Sequence, residues 1–271
     1  MTRLSKIFLP VYLTIVVLLV AFPVVYAYVG AFRPAGALSG GLEGLVPTSF
    51  TLDNFTRALN RAPLFVQLGN SVIVTIAQTA LQVVTGIFAA YALTFGKLRF
   101  AKILFGVFLI SMMIPGETTM IANYLTIRSI GLYDTLIAVF LPFGASAVTI
   151  FLLRQSFASF PKELHEAAVL DGVGPMAFLW KFLVPLSRPT IAAAIITCAI
   201  AAWNGYLWPL LITDTPSNRT VQAGISQMAD SVGPDIGALL AGSVLVSLPM
   251  IIVVIIGQSA LTRGLTEGAS K

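Results

Sequence analysis

Charges in this 271-residue chain are sparse enough to act as punctuation. Residues 7–32, 62–96, 103–116, 118–127, 135–153, 189–213 and 236–262 carry none. A helix needs about 20 apolar residues to cross a bilayer core, and five of these runs reach or approach that length. Only Glu117 separates 103–116 from 118–127, and joining them makes a sixth span. The spans then read about 7–32, 66–95, 103–127, 135–153, 189–213 and 236–262, all in one membrane domain covering 1–271. A barrel strand would alternate over about 10 residues, and no run does so.

Composition supports this. The chain is 57% hydrophobic and 10% charged, against about 45–50% and about 25% for soluble domains. A soluble globule could not cover its surface with so few polar groups. That excludes an ordinary soluble enzyme, a disordered tail and a nucleic-acid-binding domain. The net charge of +5 then reads as the Lys and Arg bias of cytoplasmic loops.

Six spans put both termini on one side. With that side cytoplasmic, Arg3, Lys6, Lys97, Arg99, Lys102, Arg154, Lys162, Lys181, Arg188, Arg263 and Lys271 lie inside. Only Arg33, Arg57, Arg61, Arg128 and Arg219 lie outside, so both termini are expected in the cytoplasm. The first apolar run exceeds a usual signal core, which favours an uncleaved helix.

The inner segment 154–188 holds the densest charge of the chain. Pro161 and Glu163 suit the first turn of a short helix, and Gly172 suits the position just past its end. Leu164, Ala167, Ala168 and Asp171 fall on one helical face. Two alanines there would let another protein's backbone approach closely, with Glu163, Glu166 and Asp171 offering carboxylates around it. A helix lying on lipid headgroups carries instead a basic polar face and bulky apolar residues. Pro175 opens a second short helix, with Met176, Leu179, Trp180 and Leu183 at helical spacing, closed by Pro185 and Pro189.

Glu166-Ala167-Ala168, Asp171-Gly172 and Leu183-Val184-Pro185 resemble the EAA motif of ABC importer permeases. The likeness extends to Asn70-Ser71, Ala90-Tyr91-Ala92, Met113-Ile114-Pro115, the stretch 203–209 (Trp203, Asn204, Gly205, Tyr206, Leu207, Trp208, Pro209) and the ending 264–269. The branch it resembles is the carbohydrate permeases for sugars and glycerol phosphate, specifically the second six-helix subunit of a heterodimer. The resemblance implies an all-α membrane fold of type I importer class with a cytoplasmic coupling helix. It also implies a second homologous permease, an ATPase dimer that binds ATP and Mg, and an extracytoplasmic solute-binding protein, in a bacterial plasma membrane. Glu166, Ala167, Ala168, Asp171, Gly172 and Pro185 would then couple to the ATPase.

No chemistry is expected within the chain itself. Gly96-Lys97 is the only Gly-Lys pair and lacks the other glycine of a phosphate-binding loop. Leu38-Ser39-Gly40-Gly41 imitates an ATPase signature but reads as a glycine-rich turn. His165 is the only histidine and reads as a solvated loop residue; Cys198 reads as a small buried hydrophobe. No cluster has metal-ligand spacing. Glu117 is the one acid inside a span, where an ionisable group is by default functional; after Pro115-Gly116 it reads first as an interfacial residue.

Asn70, Gln78, Asn123, Trp203, Asn204, Tyr206 and Trp208 are the candidates for a solute path. Amides also tie helices together, and Trp and Tyr also mark membrane interfaces, so both roles stay open. An uncharged sugar suits amides and aromatics; glycerol phosphate would want cationic partners. An ion-coupled secondary transporter is the rival, but it would favour midplane acids.

Overall fold

A computed structural model describes residues 3–34, 49–230 and 235–266, with side chains described for 8–34, 49–229 and 235–258. Leu38-Ser39-Gly40-Gly41 and Glu267 to Ala269 lie outside the described residues. Helices α1 (Arg3–Ala31), α3 (Leu64–Phe95) and α14 (Ile236–Thr266) are long, apolar and continuous. Three more apolar stretches are bent pairs: α4 (Ala101–Ser111) with α5 (Met120–Ser129), α6 (Leu136–Phe140) with α7 (Ala147–Ala158), and α9 and α10 (Pro175–Phe178, Val184–Leu186) with α11 (Arg188–Asn204). Three continuous helices and three bent pairs give up to six spans.

The stretch 103–127, expected as one span, is an elbow. Gly116–Ser129 turns 96° from α4. Pro115 lacks a donor for the preceding turn and pushes Ile114 out of the helical region. Glu117 stands exposed on the 3-10 turn Gly116–Thr119 at this elbow. The stretch 189–213 breaks similarly, between α11 and α12 (Leu207–Ile212), at Gly205-Tyr206.

Helix α3 is the spine, packed against α7 and α11, while α11 also packs on α14. The α3–α7 crossing is close because Gly86 has no side chain; a Cβ there would sit 2.7 Å from Thr149 Cγ2. Thr149 Oγ1 lies 3.1 Å from the Sγ of Cys198, which is buried as a small hydrophobe should be.

The bundle has two contrasting poles. At one, α8 (Lys162–Leu170) caps the ends of α3 and α7. At the other, α2 (Asp53–Arg61) and α13 (Val221–Asp230) cover the start of α3 and α14, and α12 packs against α13.

Candidate functional site

The α8 pole rests on apolar and aromatic packing. Pro161 caps α8 and Lys162 is its first residue. The helix ends in a Schellman turn: Gly172 N–H donates to Val169 O at 3.1 Å and Val173 N–H to Ala168 O at 2.9 Å. Gly172 has φ +72°, and a Cβ there would meet nothing within 4 Å. The glycine is required by the backbone angle rather than by crowding.

The expected stripe of Leu164, Ala167, Ala168 and Asp171 divides between two environments. Ala168 is buried against Phe178, Leu179 and Leu183, together with Ile87 and Ala90 of α3 and Phe157 of α7. It seats α8 on its own protein. Glu163, Leu164, Glu166, Ala167, Val169 and Leu170 face outward, with Leu170 88% exposed. Asp171 and Gly172 are also exposed.

His165 differs from the expected solvated residue. Its ring packs between Phe95 at 4.8 Å and Phe178 at 4.7 Å. Tyr91 Oη donates to Pro175 O at 3.2 Å and ties the following segment to α3.

The second short helix is interrupted by a π turn, Leu179–Leu183. Pro185 offers no N–H to the carbonyl of Lys181, and its ring crowds that carbonyl. The widened turn relieves the crowding and places Leu179 and Leu183 inward, Trp180 and Phe182 outward. After Ser187 the chain turns 80° into α11.

A cavity of about 440 Å³ opens between α11, α13 and α14. Trp203 and Asn204 line it, and so do Gln222, Ser243 and Ser247. Sequence reasoning missed these three. The recurrence of Ser243 and Ser247 four residues apart on one face of α14 was the available signal. Tyr28 Oη lies 2.7 Å from Ser247 Oγ. Gln78 and Trp208 line a separate cavity of about 190 Å³.

The remaining candidates are dispersed. Asn70 donates to Ser217 O at 2.6 Å and Arg219 O at 2.9 Å, and its neighbour Ser71 accepts from Val221 N–H at 2.9 Å. This pair organises the loop before α13. Trp208 is buried and donates to Ala138 O at 3.1 Å. Asn204 donates to Ile200 O at 3.0 Å, Tyr206 is 45% exposed, and Asn123 is half-buried.

Polar clasps hold the α13 pole. Asn54 donates to Ala31 O at 2.8 Å and Arg33 O at 2.7 Å, satisfying carbonyls at the end of α1. Arg57 bonds Asp235 at 2.7 Å, and Asp235 in turn accepts from Ala238 N–H in the first turn of α14. The Arg57 hydrogen bond holds the Asp235 carboxyl below the usual range, against its own burial. Asp134 has φ 58° and accepts from Asp214 N–H, Thr215 N–H and Thr215 Oγ1 at 2.5–3.1 Å. Burial opposes ionisation of Asp134, but these bonds outweigh it and keep the carboxyl low.

Comparison with known proteins identifies this helical bundle. Residues 82–267 match the family described as "Binding-protein-dependent transport system inner membrane component". The chain belongs to that family. This permease is similar to the sn-glycerol-3-phosphate transport system permease protein UgpE of Yersinia pestis, with 32% identity over 269 residues, 96% of each chain. The UgpE of Agrobacterium fabrum is 31% identical over 260 residues, covering 93% of the permease and 92% of that relative.

The permease also matches a chain of a bacterial ABC transporter involved in the import of the acidic polysaccharide alginate. The TM-score is 0.85 at 24% identity, over 96% of this chain and 98% of that one. A chain of the alginate transporter in complex with an alginate pentasaccharide-bound periplasmic protein matches at TM-score 0.66 and 11% identity, over 94% and 96%. These likenesses establish the fold: an all-α membrane protein of ABC importer permease class. The chain is an inner-membrane permease component of an ABC importer, a transport subunit rather than a catalytic one.

Proposed function

We propose that this chain is one half of the transmembrane pathway of an ATP-driven, binding-protein-dependent importer for a sugar or sugar-like solute. It pairs with a second homologous permease. A partner ATPase dimer binds ATP and Mg below it, and an extracytoplasmic binding protein delivers solute above it. Both termini and α8 face the cytoplasm, which puts the α13 pole outside. The six spans lie close to those read from the sequence; three are bent pairs, of which the last, Pro175–Leu186 with Arg188–Asn204, begins before the expected 189–213.

The observation that carries this reading is the posture of α8. It is fixed to the body by Ala168 and the turn at Gly172, yet it leaves Leu164, Glu166, Ala167 and Leu170 exposed among the described residues. A rigid short helix with an unpartnered apolar and acidic face fits a cleft on another protein. Glu166 hydrogen-bonds or pairs with the ATPase there, and Ala167 permits close backbone approach. Pro185, through the π turn, sets the angle at which motion passes into α11.

ATP binding favours the closed ATPase dimer, and α8 carries that preference into the bundle. Nucleotide drives the switch only by binding the two states unequally. Solute passes along the cavity between α11 and α14, where Trp203, Asn204, Gln222, Ser243 and Ser247 offer a stacking surface and short polar contacts. Gln78 lines the separate smaller cavity, and Tyr206 is exposed beyond the end of α11. The side-chain N–H groups of Asn70 and Trp208 are already committed to carbonyls, so these two residues shape the path.

A second reading, glycerol 3-phosphate or a glycerophosphodiester, is favoured by the transport system named for the UgpE relatives. The test is the reconstituted importer. Ala167→Trp should abolish solute-stimulated ATP hydrolysis while leaving the permease folded. Unchanged stimulation would remove α8 from the ATPase interface. The ligand retained by the co-purified binding protein decides between sugar and phosphate ester.

A further inference from the structure

A second cavity, of about 340 Å³, lies at the α13 pole. This is the small end of the range for ligand pockets, about 300–1,000 Å³. Arg61, Gln67, Pro216, Arg219, Gly224 and Gln227 line it. On α13, Gly224 and Gln227 lie on the face opposite Gln222 and Ile225, which line the cavity toward α11 and α14. The two cavities are therefore separated by the helix.

Its electrostatics are one-sided. Two guanidinium groups line it, and no carboxylate among the described residues does. Asp235 is engaged by Arg57 at 2.7 Å and by the α14 backbone, and pairs with Arg61 at 3.7 Å. One carboxylate thus serves two guanidinium groups, Arg57 and Arg61, and a net positive charge remains. Arg219 gives Nη1 to the neutral amide of Gln227, and its Nε is buried without an acceptor. Gln67 is 1% exposed; its Nε2 is spent on Pro216 O, and its Oε1 has no donor. A planar guanidinium is suited to grip a carboxylate or phosphate by two parallel bonds. Two such groups in one cavity lining can hold an anion, and the unpartnered Oε1 of Gln67 suits a hydroxyl donor on the same molecule.

We infer that this cavity binds a small hydroxylated oxyanion, a phosphate ester or a carboxylate, at the outer mouth of the permease and apart from the α11–α14 path. Arg61 and Arg219 hold the anionic group, and Gln67 and Gln227 order the cavity. The inference does not depend on which solute the importer carries.

The test uses the full chain, purified with the subunits that stay bound to it, in nanodiscs of zwitterionic phosphatidylcholine, which present no anionic headgroup. Labelled inorganic phosphate is measured by equilibrium dialysis. The expected result is a saturable site that weakens as salt is raised to about 150 mM. Arg219→Gln and Arg61→Gln should each weaken binding at least about tenfold, and the double variant should abolish it. Glycerol phosphate and glucuronate should compete, and glucose should not.

Arg57→Gln provides a second route should Arg219→Gln fail to assemble. It releases Asp235 toward Arg61 and should weaken phosphate binding with the cavity lining unchanged. Arg128→Gln, an exposed arginine set against Tyr124 and Tyr133, should leave binding unaltered. Absence of saturable binding, or binding that survives the double variant, overturns the proposal. So does a wild type that ignores phosphate while the variants weaken docking of the binding protein, an outcome that assigns these arginines to a protein interface.

Discussion

The two poles of this permease differ in what is added to their apolar cores: Ala58, Leu64, Val221 and Met228 pack together at the α13 pole, and polar clasps are laid over them. At the α8 pole, apolar and aromatic side chains hold the structure: Ala168 against Phe178 and Leu179, and His165 between Phe95 and Phe178. At the α13 pole, side chains reach across the sequence to backbone groups and charges. Asn54 reaches α1, Arg57 reaches Asp235, Asp134 reaches Thr215 and Asn70 reaches the 217–219 loop. Packing is indifferent to small rotations about the contact, whereas directional bonds are not. Under the proposed function, a helix that transmits motion suits the first kind of seat, and loops that receive solute and binding protein suit the second.

The contrast breaks most sharply at adjacent alanines. Ala168→Leu should cost about 2–3 kcal/mol by overpacking the seat. Ala167→Leu, on the exposed face, should change stability by less than about 0.5 kcal/mol yet impair ATPase stimulation. Thermal unfolding in detergent alongside ATP hydrolysis separates the two. Equal destabilisation would mean that α8 does not sit as described.

At the other pole, Asp134→Ala removes the acceptor shared by Asp214 and Thr215 and should cost about 2 kcal/mol, since hydrogen bonds to charged groups are the strong ones. Asp134→Asn keeps a residue that tolerates positive φ and should recover part of the loss. A comparable Tm for wild type and Asp134→Ala would deny the clasp its role.

Gly172→Val should cost about 1–2 kcal/mol through φ alone, because nothing crowds the site. It should also uncouple ATP hydrolysis from transport. Gly172→Asn should retain most coupling. If the valine variant couples normally, α8 is not a rigid lever.

The smallest effect is that of pH. Asp134 and Asp235 both titrate below the usual carboxylate range when folded. The unfolded chain therefore binds more protons, and the stabilisation is complete above about pH 3.9. It is lost as pH falls through the lower folded values. Acid should loosen the α13 pole first. Single-tryptophan variants keeping Trp208 or Trp180 would report each pole, with Trp208 emission shifting first on acidification. Simultaneous shifts would contradict the division.

Much of this was legible in residue order. Runs without charge placed the helices, because burying a charge in hydrocarbon is costly at any point along a span. Pro161 and Gly172 bounded α8 closely, because cap geometry is local. The elbow at Pro115 was less legible. Proline permits a kink, but the 96° angle follows from what α4 and α5 pack against. The facing of Ala168 was hidden as well. The helical stripe was correctly periodic, yet periodicity does not say whether its occupant belongs to the same chain or another. His165 met the same limit, since its two aromatic neighbours come from residues 95 and 178, far from it in sequence.

The sequence by itself determined the membrane environment, the helical class and the position of the exposed short helix, since each depends on composition, spacing or a local dihedral. Only the tertiary structure decided which amides were spent on holding loops, which serines joined Trp203 in a cavity, and which arginine Asp235 would neutralise. Those outcomes hang on partners up to 178 residues apart, and hydrogen-bond geometry over ångströms is set by how helices cross rather than by what any stretch of chain prefers.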